Sequence, residues 1–352
     1  MRMLQETINA IGTLNETVMA AATARQNNLT KPAGSLGRLE AIGIQLAGIT
    51  GTCPPPLPAR RAVIVFAGDH GVVAQGVSAF PQAVTPQMVV NFLHGGAAVN
   101  VLARQSHARV RVVDAGVAGE LPGHPDLLAG KIARGTKDFT QEPAMTRDQA
   151  VAALELGIRA VREEVARGLD LLACGDMGIG NTTPSAAIIC AITGTTPRAI
   201  AGRGTGVDDT GLERKISAIE RGLARHRPDP TDGLAVLTTV GGFEIGGIAG
   251  AMLAAGAARI PVVVDGFIST AAALIACTLA PNLKQFLIAG HRSQETGHAL
   301  ALAHLGLQPL LDINLRLGEG TGAVLAFHFI DAAARILGEM ATFAEAGVSD
   351  KD

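Results

Sequence analysis

At 352 residues, 48% hydrophobic and 17% charged, the chain can build one large core or two domains of unequal size. The absence of Trp and Tyr, with ten Phe and a formal net charge of -2, removes aromatic platforms for base stacking and any bulk attraction to nucleic acid or an anionic membrane. Forty-three Gly and seventeen Pro are too many for a simple helical bundle and suit an α/β protein with many tight strand-to-helix turns.

The N-terminal stretch MRMLQETINAIGTLNETV carries acids and lacks the apolar core of a signal peptide. Leu4, Ile8, Ile11 and Leu14 recur at helical spacing and predict one amphipathic helix over residues 1 to about 28. The segment CPPPLPARR, Cys53–Arg61, is a stiff extended linker where a helix cannot continue. Beyond it, short apolar runs end in Gly/Asp clusters and lead into helical segments. They are AVIVFAGDHG (62–71), RVRVVDAGV (109–117), DLLACGDMGIGNT (170–182), IPVVVDGF (260–267) and QFLIAGHRS (285–293).

This alternation predicts an α/β fold, a mostly parallel sheet with helices on both faces in the Rossmann manner. Ligands of such sheets sit outside the carboxyl ends of the strands, where the Gly/Asp clusters converge. The C-terminal GTGAVLAFHFIDAAARILGEMATFAEAG predicts a long helix with Leu325, Phe329 and Leu337 on its apolar side. Packed with the N-terminal helix it makes a small all-α subdomain. The expected division is 1–58, 59–318 and 319–352. The most apolar stretch, AGAMLAAGAARIPVVVDGF, is interrupted by Arg259, Pro261 and Asp265, so no membrane span is expected. Cys53, Cys174, Cys190 and Cys277 show no CxxC spacing and read as thiols of a reducing, cytoplasmic compartment.

CGDMGIGNTTPSAA (Cys174–Ala187) is a strand end, a glycine loop and a helix start. Gly178 and Gly180 let the backbone approach a ligand closely, and Asn181, Thr182 or Thr183 can cap the helix behind Pro184. The stretch reads equally as a phosphate cradle or as an ordinary capped turn. It is neither a dinucleotide fingerprint, lacking the third glycine and the downstream acid, nor a Walker loop.

GRGTGVDDTGLERK (Gly202–Lys215) sets Arg203 and Lys215 beside the backbone donors of Gly202, Gly204, Thr205 and Gly206, which suits a phosphate. Asp208 and Asp209 do not end an apolar strand, so helix capping is favoured over a metal–ribose role. Asp69 and His70 are an acid–base pair or anchors for the loop that follows, and anchoring is preferred. His291 and His298 match no metal pattern, and no zinc is expected.

Glu319, in INLRLGEGTGAVLAF, stands between two glycines at the mouth of an apolar element. One reading is an acid at a helix N-terminus, stabilising the dipole. The other is a carboxylate partly shielded by Leu315 and Leu317, with a raised pKa suited to a general base.

In chain order, KPAGSLGRLE (Lys31–Glu40), AGDHGV, GVSAFPQAVTPQMV, GDMGIGNTTPSAA, GRGTGVDDTGL, GGFEIGGIAGAML, VVVDGFIST, AGHRSQETGH and LRLGEGTGA resemble the nicotinate-nucleotide–dimethylbenzimidazole phosphoribosyltransferases over nearly the whole chain. One departure is Asp176, where many members carry Glu; the carboxylate is kept but drawn back by one methylene. The resemblance implies transfer of the phosphoribosyl group of nicotinate mononucleotide to 5,6-dimethylbenzimidazole, with inversion at the anomeric carbon, giving α-ribazole 5′-phosphate and nicotinate.

It also implies Glu319 as the general base and Ser78, Phe80, Gln87 and Met88, with Leu315 and Leu317, around the base. Asp176, Met177, Gly178, Gly180, Asn181 and the Gly202–Gly206 loop match the nucleotide surroundings, with Lys215 beside them. Ala289–Glu295 is a further candidate, and the assembly implied is a homodimer. A pyridinium leaving group is already cationic, so neither metal nor cofactor is expected. Two rivals remain: another acceptor such as adenine or a phenol on the same scaffold, and a nucleotide-binding oxidoreductase or sensor, which should show the complete glycine fingerprint.

Overall fold

In the computed structural model, which describes residues 1–349, six strands form one sheet. They are β1 (Arg61–Gly68), β2 (Ala108–Gly116), β3 (Leu127–Ala129), β4 (Leu171–Met177), β5 (Val262–Val264) and β6 (Leu287–Ala289). All pairings are parallel, in the order β3-β2-β1-β4-β5-β6, which is the doubly wound Rossmann order. β1 and β4 pair in register from Arg61 opposite Leu171 to Ala67 opposite Met177. The connections leave this pair in opposite directions, and that reversal opens a crevice at their carboxyl ends. The five predicted strand runs match β1, β2, β4, β5 and β6. The remaining strand, β3, has three residues at the sheet edge, too few to print a pattern.

Continuous apolar runs form these strands because both faces are covered. On one face Phe66, Val113 and Leu172 pack with the helices Arg147–Ala166 and Phe243–Ala257. On the other, Val63, Val65, Ala173 and Val263 meet the helices Arg38–Thr50, Ala98–Gln105 and Thr321–Glu339 through Ile42, Leu46, Val99, Val324, Phe327 and Ile330.

Two expectations about the ends are corrected. The N-terminal helix is two helices, Arg2–Asn9 and Glu16–Asn28, because the Asn15 side chain accepts the Val18 N–H (3.1 Å) and starts a second helix. Leu4, Ile11 and Leu14 are buried and Ile8 half-buried, but Ile11 and Leu14 lie in the link between the two helices rather than on a helical face. On the C-terminal helix the buried stripe is Val324, Phe327, Ile330, Ala334 and Leu337, whereas Leu325 is half-buried and Phe329 exposed. Packing between the sheet and the Arg38–Thr50 helix turns the neighbouring stripe inward. Leu337 meets Ala22 and Ala47, so the terminal helices share a small cluster of their own.

Candidate active site

The carboxyl ends of β4, β5 and β6 converge on one strap, residues 313–320. The chain after β6 carries it, with Arg292 N–H donating to Leu311 O (2.7 Å) and Gln294 N–H to Leu315 O (2.9 Å). The strap ends in three consecutive left-handed residues, Gly318 (φ 82), Glu319 (φ 63) and Gly320 (φ 90). Only the middle one bears a side chain, at a cost of about 1–2 kcal/mol for an L-residue. Strain of this kind survives where the surroundings dictate it. Here they do: Asp265, just beyond β5, accepts the Gly320 N–H (3.1 Å) and the Ala323 N–H (2.9 Å), tying down the start of the Thr321–Glu339 helix.

Glu319 is 5% exposed. Its Oε2 faces the Val99 N–H at 3.5 Å, at the start of the Ala98–Gln105 helix. Burial pushes its pKa above the usual carboxylate range, the Val99 amide opposes that, and the Asp265 charge adds to it. The acid stands one residue before the Gly320 cap of its own helix, its side chain faces the N-terminus of another, and it is shielded from water. The shield differs from the one expected. Leu317 is 56% exposed and Leu315 half-buried, so the cover comes from the sheet end and the Ala98–Gln105 helix.

A cleft of about 230 Å³ lies above β4–β6. Asp176, Asn181 and Thr182 form one wall, Gly204 and Thr205 a second, His291, Ser293 and Glu295 a third, with Phe80, Arg316 and Leu317 at the rim. Asp176 reaches the strap; its Oδ1 lies 3.1 Å from where a Cβ on Gly318 would stand. Burial first, then Asp265, with smaller contributions from Glu244 and Glu319, raises Asp176 to about 8, while the bond from Asn181 Nδ2 (2.8 Å) opposes the shift. Asn181, one of the three candidate caps, stands at the N-cap without a side-chain cap bond, its side chain turned instead to donate to the buried Asp176 carboxyl.

Lys215 is 1% exposed and binds Thr182 Oγ1 (2.9 Å) and Gly202 O (3.0 Å), fastening the second glycine loop to the first; burial lowers it to about 8. Arg203 turns back on its own loop, donating to Val207 O (3.0 Å) and pairing with Asp209. Asp208 caps its helix through the Gly211 N–H (2.7 Å), so the Asp pair is structural.

A profile described as phosphoribosyltransferase matches residues 11–348. Nicotinate-nucleotide–dimethylbenzimidazole phosphoribosyltransferases from Chloroflexus aurantiacus and Geobacter sulfurreducens are 60% and 53% identical to this chain, over 351 and 352 residues, covering 100% of each protein compared. The chain belongs to this family. As a fold, it matches the crystal structure of CobT from Thermus thermophilus with a TM-score of 0.93 at 53% identity, covering 95% of this chain and 100% of that one.

Within this phosphoribosyltransferase the residues matched to the base pocket are dispersed. Phe80 lines the cleft, and Ser78 shapes its turn by accepting the Phe80 N–H (3.2 Å). Gln87 is exposed and Met88 half-buried on the Val84–Leu93 helix, which Thr85 ties to the nucleotide-type loop through the Ile179 N–H (3.1 Å). Met177 is half-buried beneath that loop. Gly178 lies against β1, with no room for a side chain before Gly68 O. Asp69 and His70 are anchors, as preferred: Asp69 accepts the Ala118 N–H (2.8 Å) and His70 Nε2 meets Glu244 Oε1 at 2.7 Å, both residues buried.

Two residues that build the strap and the cleft were missed. Asp265 closes the run VVVDGF, and an acid at a strand end was its available signal. Arg316, which donates to Gly204 O (3.1 Å), stood inside the same motif as Glu319.

Proposed function

We propose that this phosphoribosyltransferase moves the phosphoribosyl group of nicotinate mononucleotide to 5,6-dimethylbenzimidazole, with Glu319 as general base and inversion at the anomeric carbon. The observation that carries the reading is the seat of Glu319: a nearly water-free carboxyl, raised above its usual range, on a strained strap between two glycines. The names of the relatives supply the substrates.

The nucleotide is assigned to the cleft between Asp176 and Thr205, which residues of two glycine loops, Ser293 and Arg316 line. The base is assigned to the Glu319 side of Gly318. One imidazole nitrogen attacks the anomeric carbon as the C–N bond to nicotinate breaks, its electron pair neutralising the pyridinium. The proton on the other nitrogen passes to Glu319. Holding two rings and a sugar in line supplies most of the acceleration, and the proton transfer a further 10²–10⁴-fold or about that. The homodimer and the division into 1–58, 59–318 and 319–352 belong to the same proposal.

The test incubates purified protein with both substrates and follows nicotinate release and the anomeric configuration of the product. Glu319→Gln is expected to lose about 100-fold or more in kcat. Turnover near wild type in a folded variant removes Glu319 from this role. Competition among dimethylbenzimidazole, adenine and phenols decides the acceptor.

A further inference from the structure

His291, two residues beyond β6, is 2% exposed and lines the cleft, yet neither ring nitrogen has a hydrogen-bond partner. A buried polar group left without partners calls for a use. Its Nε2 stands 3.6 Å from Asp265 Oδ1, just too far for a hydrogen bond. The seat is cut to the ring: a Cβ on Gly322 would overlap the imidazole, and one on Gly266 would lie 3.3 Å from Nε2. Asp265 in turn holds the amides of Gly320 and Ala323, which fix the strap behind Glu319.

The groups around this ring come from every side. Asp265 approaches from the end of β5, Glu295 and Arg292 lie on the same segment as His291, Asp176 shares the cleft from the end of β4, and Arg316 shares it from the strap. From the helix His298–Leu305 comes His298, its ring centroid 6.0 Å away. That second imidazole is committed. Its Nδ1 accepts the Ser293 N–H (2.8 Å), its Nε2 meets Thr270 Oγ1 (2.9 Å), and burial first, then the charges of His291 and Arg292, lowers it to about 3. Of the two rings only His291 has a nitrogen free to donate to a carboxylate.

We propose that His291 is a positioning residue: its Nε2–H closes on Asp265 and locks the Gly318–Gly320 strap, so that Glu319 is presented in one place. The proposal rests on the reading of Glu319 as general base, and its test separates the two.

Protein labelled with ¹³C at histidine Cε1 carries nine histidine signals, and the one absent from His291→Gln is His291. That signal is expected to move in Asp265→Asn, where the ring loses the carboxylate beside its Nε2. In His291→Gln, kcat is expected to drop about 10- to 100-fold with both KM values little changed, because misplacing a reacting group costs turnover while leaving binding intact. A His291 signal unmoved in folded Asp265→Asn, or a folded His291→Gln with kcat within about twofold of wild type, overturns the proposal. Should Asp265→Asn fail to fold, the kcat of His291→Gln still decides. Glu319→Gln retaining turnover would sink the general-base reading alone, since the response of the His291 signal to Asp265→Asn does not depend on it.

Discussion

The main chain of Glu319 crosses directly over Gly175, so closely that a methyl group on Gly175 would overlap the Glu319 carbonyl and crowd the Gly320 nitrogen. Gly175 lies within β4, opposite Val65 of β1, where it has no freedom to withdraw. Gly175→Ala must therefore lift the strap off the sheet. Overpacking of this kind costs about 1–3 kcal/mol, seen as a lower Tm, and kcat should fall by more than the Tm loss suggests because the displaced residue is Glu319. Gly12→Ala, in open space, is the silent control. Equal Tm and kcat for Gly175→Ala and wild type would show that the strap is not seated as described.

Asp176 gives a pH test of the cleft. Its carboxyl is raised from 3.8 to about 8, chiefly by burial and then by Asp265. The folded state holds that proton more tightly than the unfolded state, so its stabilising effect is complete below the unfolded value and lost as pH rises towards 8. Asp176→Asn keeps an oxygen for Asn181 Nδ2 and carries no charge. Its stability relative to wild type should climb steadily between pH 4 and 8 and be nearly equal at the acid end, read by denaturant titration at each pH. A difference that does not vary with pH would mean Asp176 ionises as an ordinary surface acid.

What could be read from the sequence, and what could not, follows from range. β1, β2, β4, β5 and β6 were legible because buried parallel strands write themselves as apolar runs ending in Gly and Asp. Glu319 was legible because glycine on both sides of a lone acid is a local signal, and the left-handed φ values explain those glycines. Its surroundings were not. Asp265 and Val99 lie 54 residues before Glu319 and 220 residues before it, respectively, and only the order that sets β5 beside β4 and a helix over the sheet brings them there. Asn181 shows the reverse failure: local rules nominate it among three caps, and donating to a buried carboxyl five residues earlier turns its side chain elsewhere.

Lys215 joins two loops that border the cleft proposed for the nucleotide. Lys215→Met leaves Gly202 O and Thr182 Oγ1 without their donor. An unpaired buried polar group costs about 1–3 kcal/mol, which translates into a rise of about 10-fold or more in KM for the nucleotide, with KM for the base near its wild-type value. Because burial has lowered the ammonium to about 8, the wild-type nucleotide KM should itself climb above that pH, and the Lys215→Met variant should not show the climb. Steady-state kinetics from pH 6 to 9.5 or about that range check both arms.

Glu319 should also reveal itself as a liability to the fold. Its pKa is raised by burial and by the Asp265 charge, so ionising it weakens the folded state: stability is greatest while it is protonated and declines as pH rises through its folded pKa. Glu319→Gln preserves the shape and the left-handed backbone while removing the charge. The variant is expected to melt above wild type at pH 8, with the advantage shrinking as pH falls towards 4, even as its turnover is lost. Calorimetry of the two proteins across that range checks it. A variant less stable than wild type at pH 8 would mean the carboxylate is held by its neighbours rather than tolerated by them, and a group so held would be a poor proton acceptor for an incoming base.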